Sequence, residues 1–248
     1  MKRSGLAAVG AALGGLAAAV LLATLAGASG NGIANASPRQ ILAKATSAVV
    51  GAQSFKVTGI VHDKGQTTAL AVTASKNGNG FGTVSLNGQT VQIVKVGGSL
   101  YFRAGAAFWR KQSGAQAASL FADRWVQGSA SSSDFSQLAS FFTTGQLADE
   151  FLGKTNTSST TLSKAGTTSI NGQRVLVLYG HDTNDGTSGR IFIATTGQPF
   201  VVRISLLKGS GAIGSVTFTG FNAPVNPPVP QGAINVSGAT GGSTTASS

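Results

Sequence analysis

The sequence predicts an α+β domain in which a curved antiparallel sheet of about ten or eleven strands wraps over a few helices. Three observations carry this. The apolar period is helical over residues 38–50 and changes to two at Ser54. Short apolar runs then alternate with Asn-Gly and Asp-Gly turn signals. A helix-rich middle separates two groups of such runs, so helices are segregated from strands rather than interleaved with them.

The first helix starts at Ser37-Pro38-Arg39-Gln40-Ile41. Ser37 can cap free N–H groups, and Pro38 suits the first helical position. Ile41, Leu42, Ala45, Ala48 and Val49 form one apolar face, and Gly51 is a natural stop. From Ser54, Phe55, Val57, Gly59 and Val61 alternate with Lys56, Thr58, Ile60 and His62. Further strands are expected at 67–75, 80–86, 89–96 and 99–103. Asn77-Gly78-Asn79-Gly80 and Asn87-Gly88 mark hairpins between them. Residues 114–122, 134–143 and 145–153 read as short helices, with Asp123-Arg124-Trp125-Val126 between the first two. Strands return at 159–165, 173–181, 189–195, 199–207 and 213–220, with turns at Asn171-Gly172 and Asp185-Gly186. Pro224 to Pro230 ends regular structure. Residues 231–248 are expected to form a disordered tail rich in Gly, Ser and Thr.

The N-terminus reads as an export signal over residues 1–36. Lys2 and Arg3 precede an uncharged stretch of Ala, Leu, Val and Gly over residues 5–28. Two sites fit small-x-small cleavage: Ala26-Gly27-Ala28 before Ser29, and Ala34-Asn35-Ala36 before Ser37. The second is preferred, which starts the domain at 37 and runs it to 230. The rival reading is an uncleaved anchor, since the stretch is about long enough to span a bilayer. Either way the domain lies outside the cytoplasm, in the cell envelope, a periplasm-like space or the medium. Leu25-Ala26-Gly27 imitates a lipoprotein signal, but Ala28 stands where the acylated Cys would be.

Composition narrows the function classes. The 248 residues contain no Cys, which excludes disulfides, thiolate metal sites, a Cys nucleophile and Cys lipidation. Apolar residues make up 42% and charged residues 10%, so surface polarity rests on Ser, Thr, Asn, Gln and Gly. The net charge of +11 favours anionic surroundings such as a phospholipid surface. Its bases are scattered singly, with no stripe of the kind that tracks a nucleic-acid backbone. No nucleic-acid partner is expected, and the chain is expected to be a monomer.

Catalytic patterns are absent or incomplete. His62 and His181 are the only histidines, each in a strand without a partner pattern, and no G-x-S-x-G elbow occurs. Asp182, Asn184, Asp185 and Gly186 imitate part of a calcium loop but lack its alternation and distal Glu, so a hairpin turn is the better reading. Gly153-Lys154-Thr155 imitates a phosphate loop, yet Ala148 replaces its first Gly and a helix precedes it. No metal or cofactor is expected. A hydrolase with a dispersed site around the two histidines stays open as a minor alternative.

What remains is apolar. Val91, Ile93, Val94 and Val96, then Val175 to Leu178, then Ile191 to Ile193, are apolar at adjacent positions, so both sheet faces meet something besides water. Many inward candidates are small: Ala69, Ala71, Gly82, Gly97, Gly98 and Ala104. Small side chains leave volume, and a retained cavity usually has an occupant. Ordinary core packing is the competing reading.

The block from Val94 to Arg103, with Phe108-Trp109 and Arg124-Trp125-Val126, resembles the mycobacterial lipid-binding lipoproteins of the LppX and LprG group. The opening helix ending near Ala52-Gln53-Ser54-Phe55, and the late Gly197-Gln198-Pro199 with a last strand running to Phe221, resemble them too. The likeness spans most of residues 38–230 and is one of layout. It implies a half-barrel closed on its concave side by helices, a shape shared with the LolA type of periplasmic carrier. It also implies an apolar cavity that takes acyl chains of lipids or glycolipids for transport through the envelope.

Its walls would come from Val57, Leu70, Val72, Val91, Ile93, Leu100 and Phe102 in the first strand group. Leu138, Phe141, Phe142 and Phe151 would serve in the helices, and Leu176 and Leu178 in the second strand group. Arg103, Trp109, Arg110 and Lys111 would stand at the mouth, the cations holding a head group; packing remains the alternative for Trp109 and Trp125. The function expected is a lipid or lipoglycan carrier, not an enzyme, touching membranes transiently or through its N-terminal helix. The alternative is a structural or envelope-sensing ectodomain tethered by that helix.

Overall fold

A computed structural model describes residues 30–132, 135–155, 158–207 and 213–236. Ser37 caps the first helix, α1 (Pro38–Gly51), as expected. Its Oγ accepts from the Gln40 N–H at 3.4 Å, and Gln40 Oε1 accepts from the Ser37 N–H at 3.0 Å, a reciprocal capping box. The helix buries Ile41, Leu42, Ala45 and Val49 completely.

Five strands follow: β1 (Ser54–Asp63), β2 (Gln66–Ser75), β3 (Gly80–Leu86), β4 (Gln89–Val96) and β5 (Ser99–Ala104). Then come α2 (Ala106–Phe121), β6 (Val126–Ser129), α3 (Ser136–Ser140) and α4 (Thr144–Leu152). The second group is β7 (Thr160–Ile170), β8 (Gln173–Asp182), β9 (Ser188–Ala194), β10 (Val201–Leu206) and β11 (Ile213–Thr219), with a short β12 (Ile234–Asn235).

All lie in one open sheet, ordered β12-β6-β5-β4-β3-β2-β1-β11-β10-β9-β8-β7. Neighbours are antiparallel except β12, which runs parallel to β6. The chain thus winds two meanders outward from a seam where β1 meets β11. Local chemistry fixes the turns: Lys64-Gly65, Asn87-Gly88 and Asn171-Gly172 have positive φ at both positions, the geometry that matches strand twist in a two-residue hairpin.

Register defines the two faces. Leu178, Ile191, Ile204, Val216, Gly59, Leu70, Val84 and Val91 form one continuous rung across eight strands. Paired residues share a face, so this rung lies on the concave side beneath the helices. There α1 and α4 complete a large core with Val57, Leu100, Leu176, Ile193 and Phe218. A second, smaller core sits under α2, where Trp109 meets Phe102 and Val126.

The fold class is the expected one, with differences in detail. There are twelve strands among the described residues. Helix α2 starts at Ala106, and Gly114 interrupts it in an extended left-handed conformation (φ 88, ψ 179), so only its second half carried a helical signal. Strand β6 is four residues long, too short to show a period. The tail expected from residue 231 is corrected at its start. Ile234 N donates to Trp125 O at 2.8 Å and Val236 N to Gln127 O at 2.9 Å, and residues 237–248 of that expectation lie outside the described residues.

The boundary expected at residue 37 also falls inside a packed unit. Asn31 N donates to Thr195 O at 2.8 Å, and its Nδ2 donates to Ala194 O at 3.0 Å and Gly197 O at 3.1 Å. Ile33 is only 2% exposed and belongs to the main core. The rest of the expected export segment, residues 1–29, lies outside the described residues. No described helix is long and apolar enough to cross a membrane.

Candidate functional site: an apolar hollow with an acidic mouth

Between the concave face and the α3–α4 pair lies a cavity of about 810 Å³. That is within the roughly 300–1,000 Å³ of small-molecule sites. The sheet side of its wall is mainly apolar, with Val61, Leu70, Val72, Val84, Ile93, Ile191, Ile204 and Val216, and also carries Thr68, Thr160 and Ser215. The helix side supplies Leu138, Phe141, Phe142, Leu147 and Phe151. Phe151 also meets the edge of Phe218 at 5.9 Å, so it separates the hollow from the solid core beyond.

Why the space stays open follows from the two layers. Helix α1 contacts β10 and β7 and fills that part of the concave face. Helix α4 leans on α1, while the short α3 leaves the neighbouring β2–β4 and β9–β11 surface incompletely covered. Small side chains are not the cause, contrary to expectation. Ala69 and Ala71 face a groove on the outer side of the sheet, and Gly97-Gly98 form the β4–β5 turn. Ala104 packs in the second core. Gly82 alone sits in register between two lining residues, Val72 and Ile93.

The expected wall residues divide three ways. Leu70, Val72, Ile93, Leu138, Phe141, Phe142 and Phe151 line the hollow. Val57, Leu100, Leu176 and Leu178 are in the solid core with α1, and Val91 packs against it. Phe102 lies in the second core against Trp109, ring centroids 5.3 Å apart.

The expected mouth is elsewhere. Arg103 alternates with inward Phe102 and Ala104, so it stands on the outer face. Trp109 is 6% exposed inside the second core, while Arg110 and Lys111 are exposed on α2. None of the four lines the cavity.

The opening is instead where several hairpins end together. Register places the β1–β2 and β8–β9 tips on one edge of the sheet, with the ends of β10 and β11 between them. Asp63 and Gln66 come from the first tip, and Asp182, Asp185 and Thr187 from the second. Glu150 completes the set from α4.

Two of these carboxylates are held by their own turn. Asp182 Oδ1 accepts from the Asn184 N–H at 2.9 Å, and its Oδ2 accepts from Ser159 Oγ at 3.2 Å. Asp185 Oδ1 accepts from the Thr187 N–H at 2.8 Å. Hydrogen bonds from Thr187 hold the Asp185 carboxyl below the usual carboxylate range. Among the described residues, no group of three or more His, Cys, Asp or Glu is arranged to hold a metal ion.

Sequence reasoning missed the acidic mouth because its residues are far apart in the chain. The available signal was their shared position at hairpin tips. The histidines stand apart from the hollow: His62 Nδ1 lies 2.9 Å from Thr67 Oγ1, and His181 Nδ1 lies 3.1 Å from Ser188 Oγ. Each is a cross-strand pair, His62 on the outer groove and His181 on the same outer side by alternation from Asp182.

No protein-family model and no curated protein matches the chain in sequence. Among solved structures, the lipoprotein LppX of Mycobacterium tuberculosis aligns at 21% identity with a TM-score of 0.49, over 77% of this chain and 100% of its own. LprF from Mycobacterium bovis aligns at 16% identity with a TM-score of 0.50, over 78% of this chain and 96% of its own. At that identity the likeness is one of architecture: the chain takes the LprF fold, a curved sheet over helices.

Proposed function

We propose that the protein is an exported, non-catalytic carrier of envelope lipids that holds acyl chains in the hollow between the sheet and α3–α4. The observation that carries this reading is the cavity of about 810 Å³, in which aliphatic and aromatic side chains outweigh the polar groups, many of which gather at the hairpin tips. Empty, such a wall forfeits contacts on one side; a hydrocarbon chain restores them.

The energetics suit transfer. An acyl chain moving from water into the hollow gains about 0.8 kcal/mol per CH₂. A chain moving from a bilayer gains almost none of that, because it leaves one apolar phase for another. Loading and unloading at membranes therefore run close to equilibrium, and no catalyst is needed. The chain's net charge of +11 favours approach to anionic membrane surfaces.

The test is direct. Protein purified from the exported fraction is extracted with organic solvent and the extract analysed by mass spectrometry. The emptied protein is then titrated with a fluorescent fatty acid. Recovery of acyl lipid, or saturable uptake near one probe per protein, supports the carrier. An empty preparation that takes up no probe removes it.

A further inference from the structure

The charge at the opening runs against the charge of the chain. The sequence has 18 Lys and Arg but only seven Asp and Glu. Four of those seven, Asp63, Glu150, Asp182 and Asp185, line the cavity, and among the described residues no Lys or Arg does. We propose that the hollow accepts lipids whose head group is uncharged and hydroxyl-bearing, or cationic, and discriminates against a bare phosphate. This rests on the carrier reading and specifies its ligand class.

The hollow makes the site; the carboxylates set what can stand at its entrance. An acyl chain lying among Leu70, Val84 and Phe151 would leave its head group at the hairpin tips, where the exposed polar lining residues Asp63, Gln66 and Asp185 stand. There four carboxylates stand among Gln66, Thr187 and Ser188, which can donate as well as accept. Ionised carboxylates accept hydrogen bonds from hydroxyl or ammonium donors. They repel a phosphate, and because Asp63, Glu150 and Asp185 are exposed that repulsion is sensitive to salt. Fixed donors orient two of them: Thr187 N–H for Asp185, and Asn184 N–H with Ser159 Oγ for Asp182.

Among the described residues, two cations come near without joining the lining. Lys64 shares the β1–β2 turn with Asp63. Arg39 Nη2 is engaged by the Thr160 carbonyl at 2.9 Å. Farther along the concave face, Lys95 follows Ile93 on β4. Its Nζ donates to Gly78 O at 2.8 Å and Gly97 O at 3.2 Å, at the opposite end of the strands from the mouth.

The experiment uses the exported protein and phosphatidylcholine vesicles carrying a trace of one labelled lipid. The three labels share the same acyl chains: a diacylglycerol, a trimethylammonium diacyl lipid and a phosphatidic acid. Lipid extracted into the protein fraction is counted after the vesicles are pelleted. Diacylglycerol and the cationic lipid are expected to exceed phosphatidic acid at least about tenfold at low salt. The gap should narrow in 1 M NaCl, where screening acts within about 3 Å. It should close in the combined variant Asp63→Asn, Glu150→Gln, Asp182→Asn, Asp185→Asn, which keeps an oxygen acceptor for the turn N–H groups. Should that variant fail to fold, the salt series on the unaltered protein decides. Phosphatidic acid extracted as well as or better than the others overturns the charge rule and leaves the carrier standing. Extraction of none of the three removes carrier and charge rule together.

Discussion

Gly80 lies directly beneath the ring of Phe142: a methyl group on Gly80 would stand 2.5 Å from Phe142 Cδ1. The same residue's carbonyl accepts from the Ser75 N–H at 3.2 Å, so Phe142 is gripped by ring and backbone at once. Phe142 is 1% exposed and sits at the joint between α3 and α4. This grip holds the helical roof at one fixed height above β2 and β3. Gly80→Val is expected to press both on the Thr73 carbonyl of β2 and on the Phe142 ring, destabilising the fold by about 1–3 kcal/mol as overpacking does. Urea unfolding measures this, and an unchanged midpoint would show that neither contact is as close as described.

The second core gives a contrasting pair of substitutions. Trp109 packs against Phe102, Phe108 and Phe121 at centroid distances of 5.3, 5.6 and 5.0 Å. Its buried Nε1–H has no hydrogen-bond partner among the described residues. Trp109→Phe keeps most of the ring packing and removes an unmet donor, whose burial costs about 1–3 kcal/mol. It should be neutral within about 1 kcal/mol, or stabilising, whereas Trp109→Ala should cost about 3–5 kcal/mol. Lipid uptake should survive Trp109→Phe, since the residue does not line the hollow. A large loss of uptake there would return Trp109 to the mouth.

These residues show what a sequence reading can reach. The Ser37/Gln40 cap and the Asn87-Gly88 and Asn171-Gly172 turns are written in adjacent residues, and the structure places them as expected. Leu138, Phe141 and Phe142 recur at helical spacing in the sequence and Phe151 continues the apolar pattern, and all four reach the cavity. Pairing among strands is less legible. Val57 and Val72 are partners in register within one core, yet only Val72 borders the hollow. Arg103 was drawn to the mouth by its aromatic neighbours, although strand alternation sends it outward from Phe102. The acidic rim arises because separate hairpins end at one edge, a relation absent from any short window. The hollow itself comes from the height of α3–α4 over the sheet, which no side-chain volume encodes.

The N-terminal segment yields a prediction about processing. Ile33 is in the core, Asn31 is tied to Ala194, Thr195 and Gly197, and Lys164 Nζ donates to Ala34 O at 2.6 Å. Cleavage after Ala36 would discard all of these contacts. Cleavage after Ala28 would keep them and still satisfies the small-x-small rule through Ala26 and Ala28. The exported form is therefore expected to begin at Ser29. Ile33→Ala should destabilise it by about 2–5 kcal/mol, the usual range for a buried Ile. Intact-mass measurement decides: a mature form starting at Ser37 would show the clamp to be dispensable.

Lys95 gives a pH dependence with a definite sign. Burial lowers its pKa from the ordinary lysine value. The unfolded chain therefore holds the extra proton between the folded and unfolded values, and stability rises with pH across that window. The rise ends above the ordinary lysine pKa of about 10.4. Its size is small, because the side chain keeps much of its water. Lys95→Met should lack this increment, although it leaves the carbonyls of Gly78 and Gly97 without their donor. Thermal melts of both proteins between pH 8 and 10.5 test this; parallel curves would assign the increment to other groups.

Filling the hollow separates its role from that of the core. Val84 is a partly buried lining residue on β3, in register with Leu70 on one side and Val91 on the other. Val84→Trp would extend an indole into the space where an acyl chain is proposed to lie. In a packed core the added volume would cost about 1–3 kcal/mol. In an open hollow it gains apolar contact instead, so the melting temperature should hold or rise. Uptake of a fluorescent fatty acid should fall at least about tenfold, equivalent to about 1.4 kcal/mol of binding. Stability and uptake thus move in different directions for an acyl-chain site. A variant that loses stability while binding the probe unchanged would place the chain outside the space under α3–α4.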